Sequence, residues 1–463
     1  MVFSSVIFIF FMLPLFILAD NSIRCAGSVL GAHEYRYRNI SLIIISLFFY
    51  IWGEAANVFI LLGLGIVNYY AGKIIYNNGK RIIYFIVLNI FVLFCCKYVC
   101  WVISLILPFL ELKQPKLPLG ISFFTFHAIS YLIDIRRGVI QPAKNAVDFF
   151  TYFCMFPPLV AGPIVRYAQV QHELTRRGPD ASLFSYGVFR FLMGLNKKVL
   201  IANSVAGIAD AAFVLSSQGH LHFLDAWLGI AAYTVQIYFD FSGYSDMAIG
   251  LAAMAGFHFE ENFNRPYSSS SIREFWRRWH ISLSSWLRDY LYIPLGGSRG
   301  SVLSTYRNQL VVFFICGLWH GADMTFIVWG LWHGIFLIVE RMKAGALIAK
   351  LPSGLARAYV MLVVMLGWVF FRAENMAEAM TYMKTMFMPS CAPSVLSFYA
   401  MSMVVLMLGV VLCLIPDRFL PFSPVSEKKE LSAGLYFCHA ALAVISVSML
   451  ITSSRNPFIY FNF

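Results

Sequence analysis

Charged residues are scarce in this chain. Asp, Glu, Lys and Arg make up 13% of its 463 residues, while 60% are apolar and 17% are aromatic. Because a soluble protein needs more charge at its surface, this composition excludes a set of soluble domains. Apolar runs of about 20 residues recur instead and predict a multi-pass membrane protein made of helices. No stretch has the composition of a linker, so we expect one integral membrane domain over residues 1–463, with its core at 117–341.

Acidic residues are also few, with 23 Asp and Glu against 35 Lys and Arg, and the formal net charge is +12. Such an excess can indicate nucleic-acid binding. Here, however, the Lys and Arg residues lie between the hydrophobic runs, which is typical of cytoplasmic loops that face anionic lipid. We therefore expect contact with membrane lipid and no nucleic-acid partner.

The nine cysteines lack the paired spacing of a metal or redox site, and most fall within apolar runs. Free cysteine in such runs behaves as a small apolar residue, so we expect no metal site and no disulfide framework. The first 20 residues likewise lack the basic start of a signal peptide. They predict a retained first helix whose N-terminus lies outside.

Against this apolar background, residues 271–297 combine basic and aromatic side chains. At 100° per residue, one helix face collects an apolar stripe, consisting of Phe275, Trp279, Leu283, Trp286 and Tyr290. The opposite face carries Arg273, Arg277, Ser284 and Arg288. We therefore predict an amphipathic helix that lies in the membrane interface, with His280 at the border of its two faces and Glu274 paired with Arg278.

Two apolar stretches, residues 117–134 and 156–163, contain proline and glycine at places that a lipid-facing helix would not tolerate. Irregular backbone at membrane depth must be buried in protein or line a cavity. We therefore predict buried or re-entrant segments that build a funnel, with His127 in the first of them.

Asp240 and Asp246 fall within one apolar run, where a carboxylate is costly and faces protein or water. A proton path, a metal site and a structural role as acceptors for the arginines of the next helix are all open. The structural role is favoured, because no metal-ligand spacing accompanies the two residues.

The pentapeptide GLWHG occurs twice, at residues 317–321 and 330–334. On a continuous helix the two copies would be rotated by about 220°, so His320 and His333 would point apart and at most one would face a given chamber. Buried histidine suits general-base catalysis, which makes His320 and His280 the leading catalytic candidates. The alternative is a purely structural histidine with a glycine packing face beside it. Cys316 permits a Cys–His nucleophile pair, which is disfavoured because a buried thiol reacts poorly.

The motifs together resemble the membrane-bound O-acyltransferases, and within that family the members that serve alginate acetylation. The stretches that carry the resemblance are GISFFTFHAISYLIDIRRG at 120–138, FPPLVAGPIVRY at 156–167, YFDFSGYSDMAIG at 238–250, ENFNRPY at 261–267, GLWHG at 317–321, FRAEN at 371–375 and the terminal PFIYFNF. The resemblance implies an all-α ring of transmembrane, re-entrant and interfacial helices around a central tunnel. His127 and Pro158 depart from the alginate members, in which we expect Glu and His at these places.

The resemblance also implies a function. An O-acetyltransferase of the bacterial inner membrane would take acetyl from acetyl-CoA or another cytoplasmic thioester, with no bound cofactor. It would deliver the acetyl group, through a periplasmic or membrane-anchored acetyltransferase partner, to alginate, cellulose or a similar secreted polysaccharide. His320 would be the essential base and His280 the second signature histidine. The expected substrate-binding residues are Arg277, Arg288, Asp240, Tyr238, Ser284 and Asn264.

Two other functions stay open on the sequence. One is acylation of a different hydroxyl acceptor, such as peptidoglycan, teichoic acid or a lipid. The other is a non-enzymatic transporter, whose broken helices would form a permeation path.

Overall fold

The computed structural model of the chain describes residues 2–27, 31–107, 109, 117–177, 180–390, 392–415, 432–452 and 459. These residues form helices and connecting turns, with no β-strand among them. The α-helices are α1 Leu13–Cys25, α2 Glu34–Glu54, α3 Val58–Asn77, α4 Ile82–Lys97, α5 Val99–Ile106, α6 Ile121–Arg136, α7 Ala146–Cys154, α8 Phe156–Leu159, α9 Tyr167–Val170, α10 Ala181–Asn196, α11 Asn203–Ser217, α12 Phe223–Met254, α13 Ile272–Arg278, α14 Ile281–Leu287, α15 Val302–His320, α16 Met324–Val339, α17 Lys343–Ile348, α18 Ser353–Arg372, α19 Met376–Met386, α20 Ala400–Leu414 and α21 Ala433–Thr452. Three π-helices, Phe8–Met12, Lys197–Ala202 and Arg288–Tyr292, extend or join them.

Several helical runs are long enough to cross a bilayer, which requires about 20 apolar residues. Within the described part of the chain there are six: Phe8–Cys25, Glu34–Asn77, Gly79–Lys97, Ala181–Ser217, Ser353–Arg372 and Ala433–Thr452. The predicted all-α, multi-pass membrane class is therefore confirmed.

The helices pack into two compact units. The first consists of Met1–Leu195, Tyr244–Glu260 and Val447–Ser454, and the second of Asn196–Gly243, Glu261–Ser446 and Arg455–Phe463. Helix α12 contributes residues to both. The GLWHG pair and the basic, aromatic stretch at 271–297 belong to the second unit, which therefore holds both leading histidines.

In the first unit, the two stretches with proline and glycine are buried in protein, as predicted. Along α6 nearly every side chain is buried, and in α8 all four are. His127 lies on α6 with 1% exposure, and its ring centroid is 5.4 Å from that of Tyr152. Pro158 lies in α8 and is also buried.

The two carboxylates of α12 have structural partners, but not the ones predicted. Within the second unit Asp240 pairs with Lys198 at 2.6 Å, and within the first unit Asp246 pairs with Arg190 at 2.5 Å. The expectation that arginines of the following helix would pair with them is wrong. Helix α10 and its π-helical extension supply both cations, since a charge inside an apolar bundle requires an ion-pair partner wherever the packing places one.

Candidate active site

The two GLWHG copies lie on an antiparallel helical hairpin. Helix α15 ends at His320, and α16 begins at Met324, where Oδ1 of the N-cap residue Asp323 accepts from the Thr325 N–H at 2.8 Å. The copies therefore do not share a continuous helix, and the predicted 220° separation of the histidines is wrong. Asp323 is a strong helix starter, and the short link before it reverses the chain.

Glycines of the two copies let the hairpin close tightly. A Cβ on Gly317 would lie 2.3 Å from the carbonyl oxygen of Phe326, and a Cβ on Gly330 would lie 2.2 Å from that of Phe313. No side chain fits such gaps. The glycines thus form a packing face, and this close contact fixes where the histidines of both helices lie.

His320 is held in an aromatic shell at the end of α15. Its side chain is 5% exposed, and its ring centroid lies 4.8 Å from Trp319, 4.9 Å from Trp329 and 5.2 Å from Phe371. Rings from α15, α16 and α18 therefore surround it and exclude most water.

His333, from the second copy, shares part of that shell. Its ring centroid lies 5.4 Å from Trp329 and 5.1 Å from Trp276, and the side chain is fully buried. Neither ring nitrogen has a hydrogen-bond partner among the residues that the structure describes. Trp329 thus contacts both histidines, so the two copies contribute to one aromatic cluster.

The predicted amphipathic helix at 271–297 is broken. Helix α13 ends at Arg278, Trp279 is extended, and His280 takes the left-handed conformation with φ 44° before α14 begins. The predicted stripe is nevertheless correct, because all five of its side chains are buried. The predicted ion pair between Glu274 and Arg278 is also confirmed, at 2.8 Å.

Asn262 accounts for the break. Its carbonyl oxygen accepts from the Ile281 N–H at 2.9 Å, and its Oδ1 accepts from the N–H and hydroxyl of Ser282 at 3.2 and 2.9 Å. The first two N–H groups of α14 are thereby satisfied by a residue 19 and 20 positions earlier in the chain. A non-glycine residue persists in a left-handed conformation only where its surroundings enforce it.

Asn262 also fixes the tautomer of His280. The Nδ1 atom of His280 lies 3.1 Å from Oδ1 of Asn262. Since that oxygen is already an acceptor from Ser282, the Nδ1 atom carries the hydrogen and donates it. Burial lowers the pKa of the His280 imidazole to about 3, so the ring is neutral at physiological pH. Its Nε2 lone pair has no partner within the described residues.

One indole links the two leading histidines. The ring centroid of Trp319 lies 6.3 Å from that of His280 and 4.8 Å from that of His320. Phe241 of α12 closes the other side of His280, with its ring perpendicular at 4.7 Å. The candidate catalytic residues therefore share one aromatic environment.

A cavity of about 340 Å³ opens beside this environment. Its described lining contains four arginines and no carboxylate, and we call it the basic cavity; its arginines are Arg273, Arg277, Arg288 and Arg341. Deeper in its wall lie Trp276, Gln309 and Cys316. Trp276 Nε1 and Gln309 Oε1 are buried and have no hydrogen-bond partner in the described chain. A ligand with an anionic head and a slender amide-bearing arm matches this lining.

A second cavity of about 1040 Å³ has the opposite charge. We call it the acid-rich cavity, because its charged lining consists of Asp210, Asp323, Glu374, Glu378 and Arg372. Arg372 pairs with Asp210 at 2.9 Å. Phe371 also lines this cavity and contacts the His320 ring.

The two cavities are separated by a wall of aromatic rings. The ring centroid of Trp276, in the basic cavity, lies 5.8 Å from that of Trp329. The Trp329 centroid in turn lies 4.9 Å from that of Phe371, in the acid-rich cavity. His320 contacts the last two rings of this series. His320 itself lines neither cavity and is joined to them through these rings.

The other residues predicted to bind substrate fall into two sets. Arg277, Ser284 and Arg288 line the basic cavity, whereas Tyr238, Asp240 and Asn264 line neither cavity. Tyr238 is buried against Tyr267, with ring centroids 5.3 Å apart. For Asp240, the backbone N–H of Ile459 is a second partner besides Lys198, at 2.9 Å. The backbone N–H of Asn264 donates to the Arg278 carbonyl oxygen, and the Asn264 carbonyl oxygen accepts from Nη1 of Arg278.

Sequence reasoning missed three residues of this environment: Asn262, Trp276 and His333. Asn262 lies in the ENFNRP motif beside Asn264, so the motif pointed to the correct loop but not to the residue that holds His280. His333 was not expected near His320, because the sequence did not predict the helical hairpin. No periodic signal in the sequence marks Trp276 as the ring that joins a cavity to the histidine shell.

Comparison with known proteins gives the family context. A model described as "MBOAT, membrane-bound O-acyltransferase family" matches residues 140–350. "Probable alginate O-acetylase AlgI" of Pseudomonas aeruginosa is 43% identical over 403 residues, which cover 84% of this chain and 75% of that protein. Its counterpart in Azotobacter vinelandii is 44% identical, covering 84% and 78%. The "Peptidoglycan O-acetyltransferase" of Helicobacter pylori is 34% identical over 416 residues, covering 81% and 79%.

Proposed function

We propose an O-acetyltransferase function for this chain, which belongs to the membrane-bound O-acyltransferase family. It takes an acetyl group from a cytoplasmic thioester and delivers it for O-acetylation of a secreted polysaccharide of the alginate type. The acyltransferase class follows from the family, and the alginate acceptor from the names of the relatives at 43% and 44% identity.

One observation of the structure carries the chemical part of the proposal. His320 lies in an aromatic wall between a cavity lined by four arginines and a larger cavity rich in carboxylates. A transferase needs two substrates to meet at one group while water is kept out. The position of His320 among these rings supports the wall as such a meeting place.

In the transfer step, His320 takes the proton of the acceptor hydroxyl as the hydroxyl oxygen attacks the thioester carbonyl. The new C–O ester bond forms, the C–S bond breaks, and the departing thiolate receives the proton from the imidazolium. General-base assistance contributes about 10²–10⁴ in rate. Positioning in the aromatic wall supplies a further part of the acceleration.

His280 acts beside His320 as a neutral imidazole. Because Asn262 holds the hydrogen on Nδ1, the Nε2 lone pair is fixed as an acceptor. It orients a hydroxyl or amide hydrogen of a substrate near Trp319 and carries no charge itself at physiological pH. This is a positioning role, distinct from proton removal by His320.

The basic cavity is the donor side in this proposal. Its arginines, including Arg277 and Arg288, suit the phosphates of acetyl-CoA or another phosphate-bearing thioester, and Ser284 lines the same wall. The positive-inside rule favours the cytoplasm for this arginine-rich face. No further cofactor is required by the chemistry.

The final acceptor has a second candidate. The Helicobacter pylori relative is named for peptidoglycan, so peptidoglycan is the alternative that a specific comparison favours. Cellulose stays a prediction from the sequence. We further propose that the chain lies in a bacterial inner membrane and passes acetyl groups to a periplasmic or membrane-anchored acetyltransferase partner, because the polymer is modified outside the cytoplasm.

The test uses His320→Ala in cells that make the polymer. We expect normal expression and membrane insertion but no acetyl on the secreted polysaccharide. Purified wild-type protein with labelled acetyl-CoA should release or transfer the label, which a transporter would not do. Normal polymer acetylation in the variant contradicts the assignment of His320.

A further inference from the structure

The acid-rich cavity contains buried polar groups that no described residue satisfies. Four of its lining side chains are more than nine-tenths buried and have a polar atom without a hydrogen-bond partner in the described chain: Ser216 Oγ, the Tyr233 hydroxyl, Gln236 Oε1 and Thr325 Oγ1. They come from three helices, α11, α12 and α16. Buried groups of this kind are normally paired, so the cavity is suited to a ligand that supplies hydroxyl or amide partners.

The charge of the cavity restricts that ligand further. Arg372 is the only cation in the described lining, and it pairs with Asp210. Arg372 also interacts electrostatically with Glu378, so it is shared between two carboxylates. Four carboxylates against one arginine leave an excess of three formal negative charges in the described lining. This excess focuses a negative potential in the cavity, which repels anions and attracts cations.

We propose that this cavity is the acceptor chamber and that its carboxylates act as a charge filter. It binds a hydroxyl carried on an uncharged or cationic group and excludes polyanionic chains. This inference rests on the proposed function and names the substrate class of its second cavity. Ser216, Tyr233, Gln236 and Thr325 bind the polar groups of the acceptor, while Asp323, Glu374 and Glu378 determine its charge.

The consequence for alginate is direct. A polyuronate carries a carboxylate on every sugar, so it does not enter the chamber and is not the immediate acceptor. The acetyl group instead leaves on an uncharged or cationic alcohol, which afterwards donates it to the polymer. In the step within this chain, the O–H bond of the alcohol and the C–S bond of the thioester break, and an ester and a thiol form.

The test measures the charge preference of the chamber without requiring the natural acceptor. Ser216→Cys places a thiol on the cavity wall, and its rate of modification is followed by peptide-resolved mass spectrometry of the full-length protein. Two methanethiosulfonate reagents of similar size are compared, one with a trimethylammonium group and one with a sulfonate, each rate divided by that for free cysteine. We expect the cationic reagent to react at least about tenfold faster, within the range of electrostatic focusing.

Ser284→Cys in the basic cavity is the matched control and should show the reverse preference, because arginines line that wall. The triple variant Asp323→Asn, Glu374→Gln, Glu378→Gln keeps amide oxygens for the N-cap bond of Asp323 and for the bond that Glu378 accepts from the Glu374 N–H. In the triple variant, the ratio of the cationic to the anionic labelling rate at position 216 should fall to about one. Thr325→Cys repeats the measurement if Ser216→Cys fails to fold.

Three outcomes overturn the inference: equal rates at position 216, faster reaction with the anionic reagent, or a preference that survives in the triple variant. Absence of reaction with both reagents also overturns it, since the chamber would then be closed. These labelling rates do not depend on acetyl transfer. If the Ser216→Cys protein shows the preference while wild-type protein transfers no acetyl, the proposed function is refuted and the charge filter stands.

Discussion

The Nδ1 atom of His280 donates its hydrogen to Oδ1 of Asn262 across 3.1 Å, and this bond fixes the tautomer of a histidine whose left-handed backbone is held by the bonds of Asn262 to Ile281 and Ser282. The same asparagine caps the start of α14. A loop residue thus determines which nitrogen of a candidate active-site ring is left as an acceptor without a partner in the described chain.

Asn262→Ala should therefore impair acetyl transfer more than it impairs folding. Loss of the anchor lets the His280 ring turn, and misplacement of a substrate-positioning group costs about 10²-fold in rate. The measurement is acetyl transfer by purified protein, with membrane insertion checked in parallel. Asn145→Ala removes a comparable N-cap in the first unit and should leave transfer close to wild type. Equal losses in the two variants would show a general stability effect instead.

Gly317→Ala should open the hairpin and abolish activity. The added methyl group would meet the Phe326 carbonyl at 2.3 Å, so α15 and α16 must separate, and overpacking of this kind costs about 1–3 kcal/mol. Thermal unfolding in detergent measures the loss. Gly63→Ala is the control: it lies on α3 with nothing within 4 Å of an added Cβ, and should be neutral or stabilising by up to about 1 kcal/mol. Unchanged thermal stability of the Gly317 variant would be incompatible with the close helix contact.

Arg277→Ala should weaken donor binding and leave the chemical step almost intact. Its guanidinium is exposed at the basic cavity, so the loss corresponds to a surface ion pair, roughly fivefold in KM for acetyl-CoA. The kcat should change little, because such binding is the same in ground and transition state. Added salt should reduce the difference between variant and wild type. Arg299→Ala is the control: the residue lies outside the cavity lining, so this variant should match wild type. If Arg277→Ala lowered kcat alone, Arg277 would belong to the chemical step instead.

Substitutions at the Lys198–Asp240 ion pair distinguish a structural role of Asp240 from a role in substrate binding. Lys198→Met leaves a buried charge without its partner, which destabilises by about 3–5 kcal/mol. Adding Asp240→Asn removes that charge and keeps an acceptor for the Ile459 N–H, so stability should largely return. We expect acetyl transfer to return with it. A double variant that folds and inserts but does not transfer would show that Asp240 binds substrate.

Some parts of the site could be predicted because they depend on local periodicity. The buried stripe of α13 and α14, the Glu274–Arg278 pair and the arginine face with Ser284 all follow from residues three or four apart on a helix. The arginine face coincides with the lining of one cavity. The buried character of α6 and α8 likewise followed from proline and glycine in an apolar run.

Other parts could not be predicted, since they depend on residues far apart in the chain. The break at His280 is imposed by Asn262, and nothing at 279–280 interrupts the helical period. The cations beside Asp240 and Asp246 come from an earlier helix, because packing and not sequence order decides which charge is near. The single membrane domain over residues 1–463 and the roles of His127 and Pro158 stay predictions.

The sequence by itself determined that this chain is a helical membrane protein, since apolar run length and charge placement are properties of short segments that each meet lipid on their own. It also determined its family, through motifs that can be read without coordinates. Only the tertiary structure decided that the two GLWHG copies face one aromatic cluster and that cavities of opposite charge lie beside it. The physical reason is that a cavity and its electrostatic potential belong to no single segment: they arise when helices distant in sequence pack and leave a space between them.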